Sequence, residues 1–161
     1  MRRVLIPNYG TLGPIPGVKR FDGTPMTYWG SFSISNQNLS QGTANLVKYA
    51  DGWCGAWSPF FTDVLGVQGI SAPGREIQPP SGYWRMVLNT NMPAQNNPSP
   101  QFVFWNHAVN EYGGKIYDPS YGNTWNTQLS WEDACVNAYL TNLSYTVGIF
   151  DTKGVQETVW P

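Results

Sequence analysis

Residues 52–70, GWCGAWSPFFTDVLGVQGI, form the stretch on which the predicted fold depends. Apolar side chains recur in it every three or four residues, which is the spacing of one face of an α-helix. These side chains are Trp57, Phe60, Phe61, Val64 and Leu65. Gly66 and Gly69 are typical stop signals. The stretch therefore predicts an amphipathic helix at or just after Cys54.

Pro59 leaves two interpretations of where this helix begins. Proline has no amide hydrogen and costs about 3 kcal/mol inside a helix, so a helix that begins near Cys54 is expected to kink at Pro59. Alternatively, Ser58 is the N-cap and Pro59 is the first helical residue, a position that proline tolerates well. In that case Cys54 lies in the turn just before the helix.

The clearest β-strand signal is a hairpin within residues 101–121. QFVFWNHAVNEY and KIYDPSY flank Gly113-Gly114, a dipeptide that permits the positive φ angles of a tight turn. Counting outward from this turn pairs Tyr112 with Lys115, Glu111 with Ile116, Asn110 with Tyr117, and Val109 with Asp118. His107 then shares a face with Asp118, about 7–8 Å away at the backbone. We expect the carboxylate to accept a hydrogen bond from the imidazole, since only a register slip would separate them.

His107 and Asp118 could activate a cysteine nucleophile if the thiol of Cys54 lies beside the imidazole. The thiolate is the nucleophilic form of cysteine, and an adjacent imidazolium or a helix amino end favours it. A carboxylate behind the imidazole fixes its tautomer and stabilises its charge. His107 is the only histidine in the chain. The structural alternatives are a buried thiol, a structural histidine and a turn-forming aspartate.

The two segments together resemble a known family. HAVNEYGGKIYDPSYG is similar to the His-to-Asp segment of transglutaminase-like proteins, and GWCGAWSPFFTDVLGVQGI resembles their nucleophile segment, over roughly residues 45–122. The order of cysteine, histidine and aspartate also agrees. The resemblance implies Cys54 as the nucleophile, His107 as general base and acid, and Asp118 as the orienting carboxylate. It implies a microbial member of the superfamily and no metal or organic cofactor.

Aromatic residues flank the expected site. Trp53 and Trp105 are candidates to line a substrate groove, and Tyr121 and Trp125 are candidates for one of its walls. The alternative for each is that it packs in the core. Cys135 lies in a segment that predicts a helix, and we expect it to be buried. A disulfide between Cys54 and Cys135 is possible on sequence grounds alone.

We predict a single α+β domain over residues 1–161. Its core is a papain-like or transglutaminase-like unit over about residues 45–161, with the nucleophile helix packed on an antiparallel sheet and a Gly/Pro-rich amino-terminal extension over residues 1–44. Further expected elements are strands at 3–6, 27–35 and 83–89, helices at 43–50 and 131–140 (the second capped by Ser130), loops at 71–82 and 90–100, and a hairpin around residues 152–154.

Composition narrows the possible partners. Only 12% of the 161 residues are charged and the net charge is −1, with no basic run, so nucleic acid and anionic membranes are poor partners. The first residues do not match a signal peptide, and an extracellular or surface location is favoured. We expect a protein or peptide substrate and hydrolysis of an amide bond by a thiol protease or amidase. The alternatives are a cross-linking transglutaminase, and a non-catalytic binding or structural domain of a larger assembly.

Overall fold

The structure is a computed structural model that describes residues 17–89, 94–98 and 103–140, and the backbone of residues 156–159. Its helices are α1 (Ser31–Ser35), α2 (Thr43–Tyr49), α3 (Cys54–Gly66) and α4 (Gln128–Cys135). Its strands are β1 (Thr27–Tyr28), β2 (Asp51–Gly52), β3 (Gly74–Gln78), β4 (Arg85–Leu88), β5 (Val103–Phe104), β6 (His107–Tyr112), β7 (Lys115–Asp118), β8 (Asn123–Trp125), β9 (Val136–Leu140) and β10 (Gln156–Val159).

The largest sheet has five antiparallel strands in the order β10-β3-β6-β7-β8. A second antiparallel sheet has the order β5-β4-β9, and β1 pairs with β2 in parallel. Helix α3 packs on β6, where Ser58 Oγ donates a hydrogen bond to the Val109 carbonyl at 3.1 Å. The predicted mixture of helix and antiparallel sheet, with this helix on the sheet, is therefore confirmed.

Helix α3 begins at Cys54, with Trp53 as its N-cap, so the first interpretation of its start is correct and Ser58 is not the cap. Pro59 lies inside the helix and cannot donate to the Gly55 carbonyl four residues earlier. The amide of Gly42, just before α2, donates to that carbonyl at 2.9 Å instead. The proline therefore frees one helical acceptor, and the neighbouring segment uses it.

The hairpin has the predicted register. Asn110 pairs with Tyr117, Glu111 with Ile116, and Tyr112 with Lys115. The turn residues Gly113 and Gly114 have φ angles of +59° and +73°, which side chains other than glycine adopt rarely. Strand β6 begins at His107 and β7 ends at Asp118, so both residues lie at the end of the hairpin away from the turn.

The extended segment predicted over residues 27–35 is wrong beyond Tyr28, because α1 begins at Ser31. The buried Asp51 carboxylate caps this short helix from another part of the chain. It accepts hydrogen bonds from the amides of Gly30, Phe32 and Ser33 at 2.9, 3.0 and 3.3 Å. The Ser33 hydroxyl donates to it at 2.7 Å. Free amides at a helix start need such an acceptor, and here a long-range contact provides it.

The segment before residue 45 contributes to the core. The side chains of Val18, Met26, Tyr28 and Trp29 are buried in the same hydrophobic cluster as Trp57 and Val109. The predicted helix over residues 43–50 is confirmed as α2, and the predicted strand over 83–89 is confirmed as β4.

Two other local predictions are wrong in part. Residues 71–82 were expected to form a loop but contain β3, which pairs with β6 on one side and β10 on the other. The helix expected over 131–140 is instead α4, which ends at Cys135, followed by β9. Its N-cap is Thr127, and Ser130 completes a capping box from inside the helix. Pairing with β4 makes residues 136–140 a strand.

The predicted strand at residues 3–6 lies outside the described residues, as does the first arm of the expected carboxy-terminal hairpin. The second arm contains β10. Of residues 90–100, the described part includes the bridge between Ala94 and Asn97. No helix in the described ranges is long and apolar enough to cross a lipid bilayer.

Two glycines, Gly52 at the end of β2 and Gly55 in the first turn of α3, give a matched test of this packing. A Cβ at position 52 would lie 2.8 Å from the Ala56 Cβ and 3.2 Å from Leu46 Cδ1, whereas at position 55 its nearest neighbour is the flexible Gln41 side chain at 3.8 Å. We expect Gly52→Ala to lower the free energy of unfolding by about 1–3 kcal/mol. Gly55→Ala should raise it by about 0.5–1 kcal/mol because alanine is the better helix former. Urea unfolding measures both, and equal stabilities would contradict this packing.

Candidate active site

Cys54 is the first residue of α3, immediately after β2 and Trp53. The Trp53 amide donates to the Ser40 carbonyl at 3.2 Å, which holds the backbone in an extended conformation before the helix. The Cys54 thiol is free, and the residue is 9% exposed. Cys135 is also free and fully buried, as expected, so the two cysteines form no disulfide.

His107 and Asp118 form a buried hydrogen-bonded pair. His107 Nε2 lies 2.7 Å from Asp118 Oδ2, and neither side chain is exposed to solvent. This confirms the hydrogen bond expected from the hairpin register. The opposite ring nitrogen, Nδ1, has no hydrogen-bond partner among the described residues. Asp118 thus holds the Nε2 edge of the imidazole, and the Nδ1 edge is available for a further hydrogen bond or a proton transfer.

Three further donors hold the Asp118 carboxylate in place. Trp131 Nε1 donates to Oδ2 at 3.1 Å, and the amides of Ser120 and Tyr121 donate to Oδ1 at 3.1 and 3.4 Å. Both carboxylate oxygens therefore have several partners, which fix the direction in which the group faces His107.

Aromatic rings surround the imidazole of His107. The Trp131 ring is stacked on it, with centroids 5.7 Å apart and an angle of 8° between the planes. Tyr28, Phe104 and Tyr121 contact it at centroid distances of 6.3, 5.7 and 5.6 Å. This packing prevents the ring from rotating away from Asp118.

The electrostatic environment favours a charged His107. Burial lowers its pKa, but the charge of Asp118 and the hydrogen bond to it act more strongly in the opposite direction. The Cys54 side chain also raises this pKa. Together these effects raise the pKa of His107 to about 10. The raised pKa favours the imidazolium form of the ring at neutral pH.

A cavity of about 520 Å³ opens beside Cys54. Its walls include Trp53 and Trp105, two of the candidate residues named from the sequence. They also include Gln41, Glu76, Arg85 and Asn106. This volume is typical of sites for small organic ligands or a few peptide residues.

Tyr121 and Trp125, which were predicted to form a wall of the groove, are not part of this cavity. Tyr121 is 4% exposed and packs on the imidazole and on Tyr28, with a ring-centroid distance of 5.3 Å between the two tyrosines. Burial raises its pKa, so its hydroxyl stays neutral. Trp125 lies on β8 opposite Ile116 and packs against the core. Of the two, only Tyr121 contacts His107 directly in the described part of the chain.

Two residues that position the His107–Asp118 pair were not predicted from the sequence. Trp131 contacts both His107 and Asp118, and Tyr28 contacts His107 from the amino-terminal segment. No short-range pattern marks either residue, because each reaches the site from a distant part of the chain. Among the described residues, no group of three or more histidine, cysteine or acidic side chains could hold a metal ion.

No family model, curated protein or solved structure matches this chain. The resemblance to transglutaminase-like proteins therefore stays a prediction.

The raised pKa of His107 makes stability depend on pH. A group whose pKa is higher in the folded than in the unfolded protein adds its full stabilising free energy below its pKa in the unfolded protein, which for histidine is about 6.5. That contribution is lost as the pH rises towards about 10. We expect His107→Gln to destabilise the protein by about 3–5 kcal/mol near pH 6.5, because it leaves the Asp118 carboxylate buried without its charged partner. The difference from the wild type should shrink as the pH rises.

Denaturant unfolding at several pH values measures the difference in the free energy of unfolding between the wild type and His107→Gln. Groups that titrate equally in both proteins do not affect this difference. The Asp118→Asn variant and the double variant complete a mutant cycle that isolates the pair. A difference between wild type and His107→Gln that did not change with pH would contradict a charged imidazole.

Proposed function

We propose that the protein is a thiol-dependent acyl-transfer enzyme that acts on amide or peptide bonds. The observation that carries this proposal is the hydrogen bond of 2.7 Å between His107 Nε2 and Asp118 Oδ2. Nδ1 of the same ring has no hydrogen-bond partner among the described residues, and the Cys54 side chain acts on the pKa of this ring. Cys54 also lines a cavity large enough for a substrate. Helix α3 packed on the strand of His107 also supports the finer assignment to a papain-like, transglutaminase-like fold.

Each member of the triad has a defined role in the reaction. The Cys54 thiolate attacks the carbonyl carbon of the substrate and forms an S–C bond. The His107 imidazolium gives its proton to the leaving nitrogen as the C–N bond breaks. Asp118 holds the ring in the tautomer and orientation that both steps need, and it stabilises the positive charge. The product of this half-reaction is a thioester on Cys54 and a free amine.

The second half-reaction releases the acyl group. Neutral His107 takes a proton from water, the resulting hydroxide equivalent attacks the thioester, and the C–S bond breaks to regenerate the thiolate. The products are then a carboxylic acid and the free enzyme. An amine in place of water would give transamidation. We favour hydrolysis, because the resemblance is to microbial members of the superfamily.

The oxyanion formed in each step needs hydrogen-bond donors. Helix α3 begins at Cys54, so its first amides lack intrahelical acceptors, and the positive end of the helix dipole lies at the cavity. We assign the Cys54 amide as one donor. The Gln41 side chain is the candidate for the second, because it lines the cavity and approaches Gly55.

Selective thiol labelling tests the nucleophile. We expect iodoacetamide to modify Cys54 well before Cys135, whose pKa is raised by burial. An activated ester should leave an acyl group on Cys54 that mass spectrometry detects by peptide mapping. His107→Gln should slow acylation by about 10²–10⁴-fold.

Cys135→Ser is the matched control and should be labelled and acylated like the wild type. Preferential labelling of Cys135, or labelling of Cys54 without any acyl intermediate, would contradict the proposal. The second result would favour a binding or structural domain. Release of the acyl group to an added amine in preference to water would instead identify a cross-linking enzyme.

The second oxyanion donor has a separate test. We expect Gln41→Ala to lower the rate of ester hydrolysis by about 10²–10³-fold while the alkylation rate of Cys54 is unchanged, since alkylation forms no oxyanion. Gln37→Ala is the control, because Gln37 lines the same cavity. An equal loss in both variants, or a parallel loss of alkylation, would refute the role of Gln41.

A further inference from the structure

Two charged side chains line the cavity beside Cys54, and they differ in how they are paired. Glu76, on β3, accepts hydrogen bonds at Oε1 from the side-chain amides of Gln78, at 2.9 Å, and Asn106. Arg85, on β4, has no ion pair and no side-chain hydrogen bond among the described residues, and its Nη1 is buried without a partner. The carboxylate of Glu76 is thus satisfied by neutral donors, whereas the Arg85 guanidinium has no hydrogen-bond acceptor among the described residues.

The sheet holds the Arg85 guanidinium against an aromatic ring. Met86 pairs with Phe104, so the antiparallel register places Arg85 opposite Trp105. The guanidinium carbon lies 3.7 Å from the centre of the Trp105 ring, a short cation–π contact. Trp105 is itself 65% exposed and lines the cavity. The guanidinium is therefore held in a fixed orientation at a wall that a ligand can reach.

An arginine of this kind is suited to an anion. Its planar group presents paired N–H donors that match the two oxygens of a carboxylate, and an aromatic ring on one face leaves those edges free. Burial of part of the side chain lowers the pKa of Arg85, which reflects the cost of a charge without a partner. Because Arg85 lines the cavity, a ligand carboxylate there would accept from the guanidinium N–H groups that face the cavity.

We propose that Arg85 and Trp105 form a subsite for a carboxylate of the peptide ligand, so that the enzyme selects acidic substrates. The assignment of this ligand as a substrate rests on the proposed function, but the binding itself does not. The carboxylate belongs either to an acidic side chain or to the end of a peptide chain, and the chemistry of recognition is the same for both. Arg85 is a specificity-determining residue in this scheme and takes no part in bond breaking.

Binding is measured in the Cys54→Ala protein, so that no reaction follows. Three short N-acetylated peptides of otherwise equal sequence are compared by calorimetry: one with an internal Glu and an amidated end, one with Gln and a free carboxylate end, and one with Gln and an amidated end. We expect one of the first two to bind about 10- to 100-fold more tightly than the neutral third. Which of the two binds identifies the source of the carboxylate.

The Arg85→Gln exchange should abolish this preference, and Arg85→Lys should retain part of it, because lysine keeps the charge but not the planar fork. Lys48→Gln is the matched control: it removes another cation that lies over an aromatic ring, Tyr49, but Lys48 does not line the cavity. It should leave the preference unchanged.

Equal binding of all three peptides, or no binding of either acidic peptide at millimolar concentration, would overturn the proposal without any need for the Arg85 variants. Loss of the preference in Lys48→Gln would do so as well. If acidic peptides bind but the wild type forms no acyl intermediate, the proposed function fails while the subsite stands. If acylation proceeds without a preference for acidic peptides, the subsite fails alone.

Discussion

The structure depends on one buried ionic contact, between the imidazole of His107 and the carboxylate of Asp118. Two charges removed from water carry a large desolvation cost, and their attraction offsets it only when the remaining lone pairs are also satisfied. Here Trp131 Nε1 and the amides of Ser120 and Tyr121 satisfy them. The surrounding elements therefore supply the hydrogen-bond donors and the packing that stabilise this pair in the absence of solvent.

The pair also depends on the register of the β6–β7 hairpin. Side chains alternate between the two faces of a sheet, so a slip of one residue would turn either group to the opposite face. The positive φ angles at Gly113 and Gly114 fix the turn, and the turn fixes the register. The geometry of the site is thus determined by a dipeptide at the far end of the same hairpin.

This hairpin and helix α3 could be predicted from the sequence because their signals are local. A turn dipeptide sets strand pairing, and apolar spacing sets a helix face, without reference to the rest of the chain. Helix α1 could not be predicted, since its amides are satisfied by Asp51 from β2. Pairing with β6 and β4 makes β3 and β9 strands, because the sequence pattern of neither segment predicts a strand. The same reason explains why Trp131 and Arg85, whose contacts cross between elements, were not assigned to the site in advance.

The hydrogen bond from the Gly42 amide to the Gly55 carbonyl has a consequence for the rigidity of the backbone beside Cys54. It exists because Pro59 leaves that carbonyl unused, and it ties the first turn of α3 to the residue that follows Gln41. Pro59 would ordinarily weaken a helix, but here it allows a hydrogen bond that connects the first turn of α3 to the start of α2. The thermal motions of the Cys54 thiol and of the Gln41 side chain should consequently be correlated, since the same backbone hydrogen bond restrains the residue next to each.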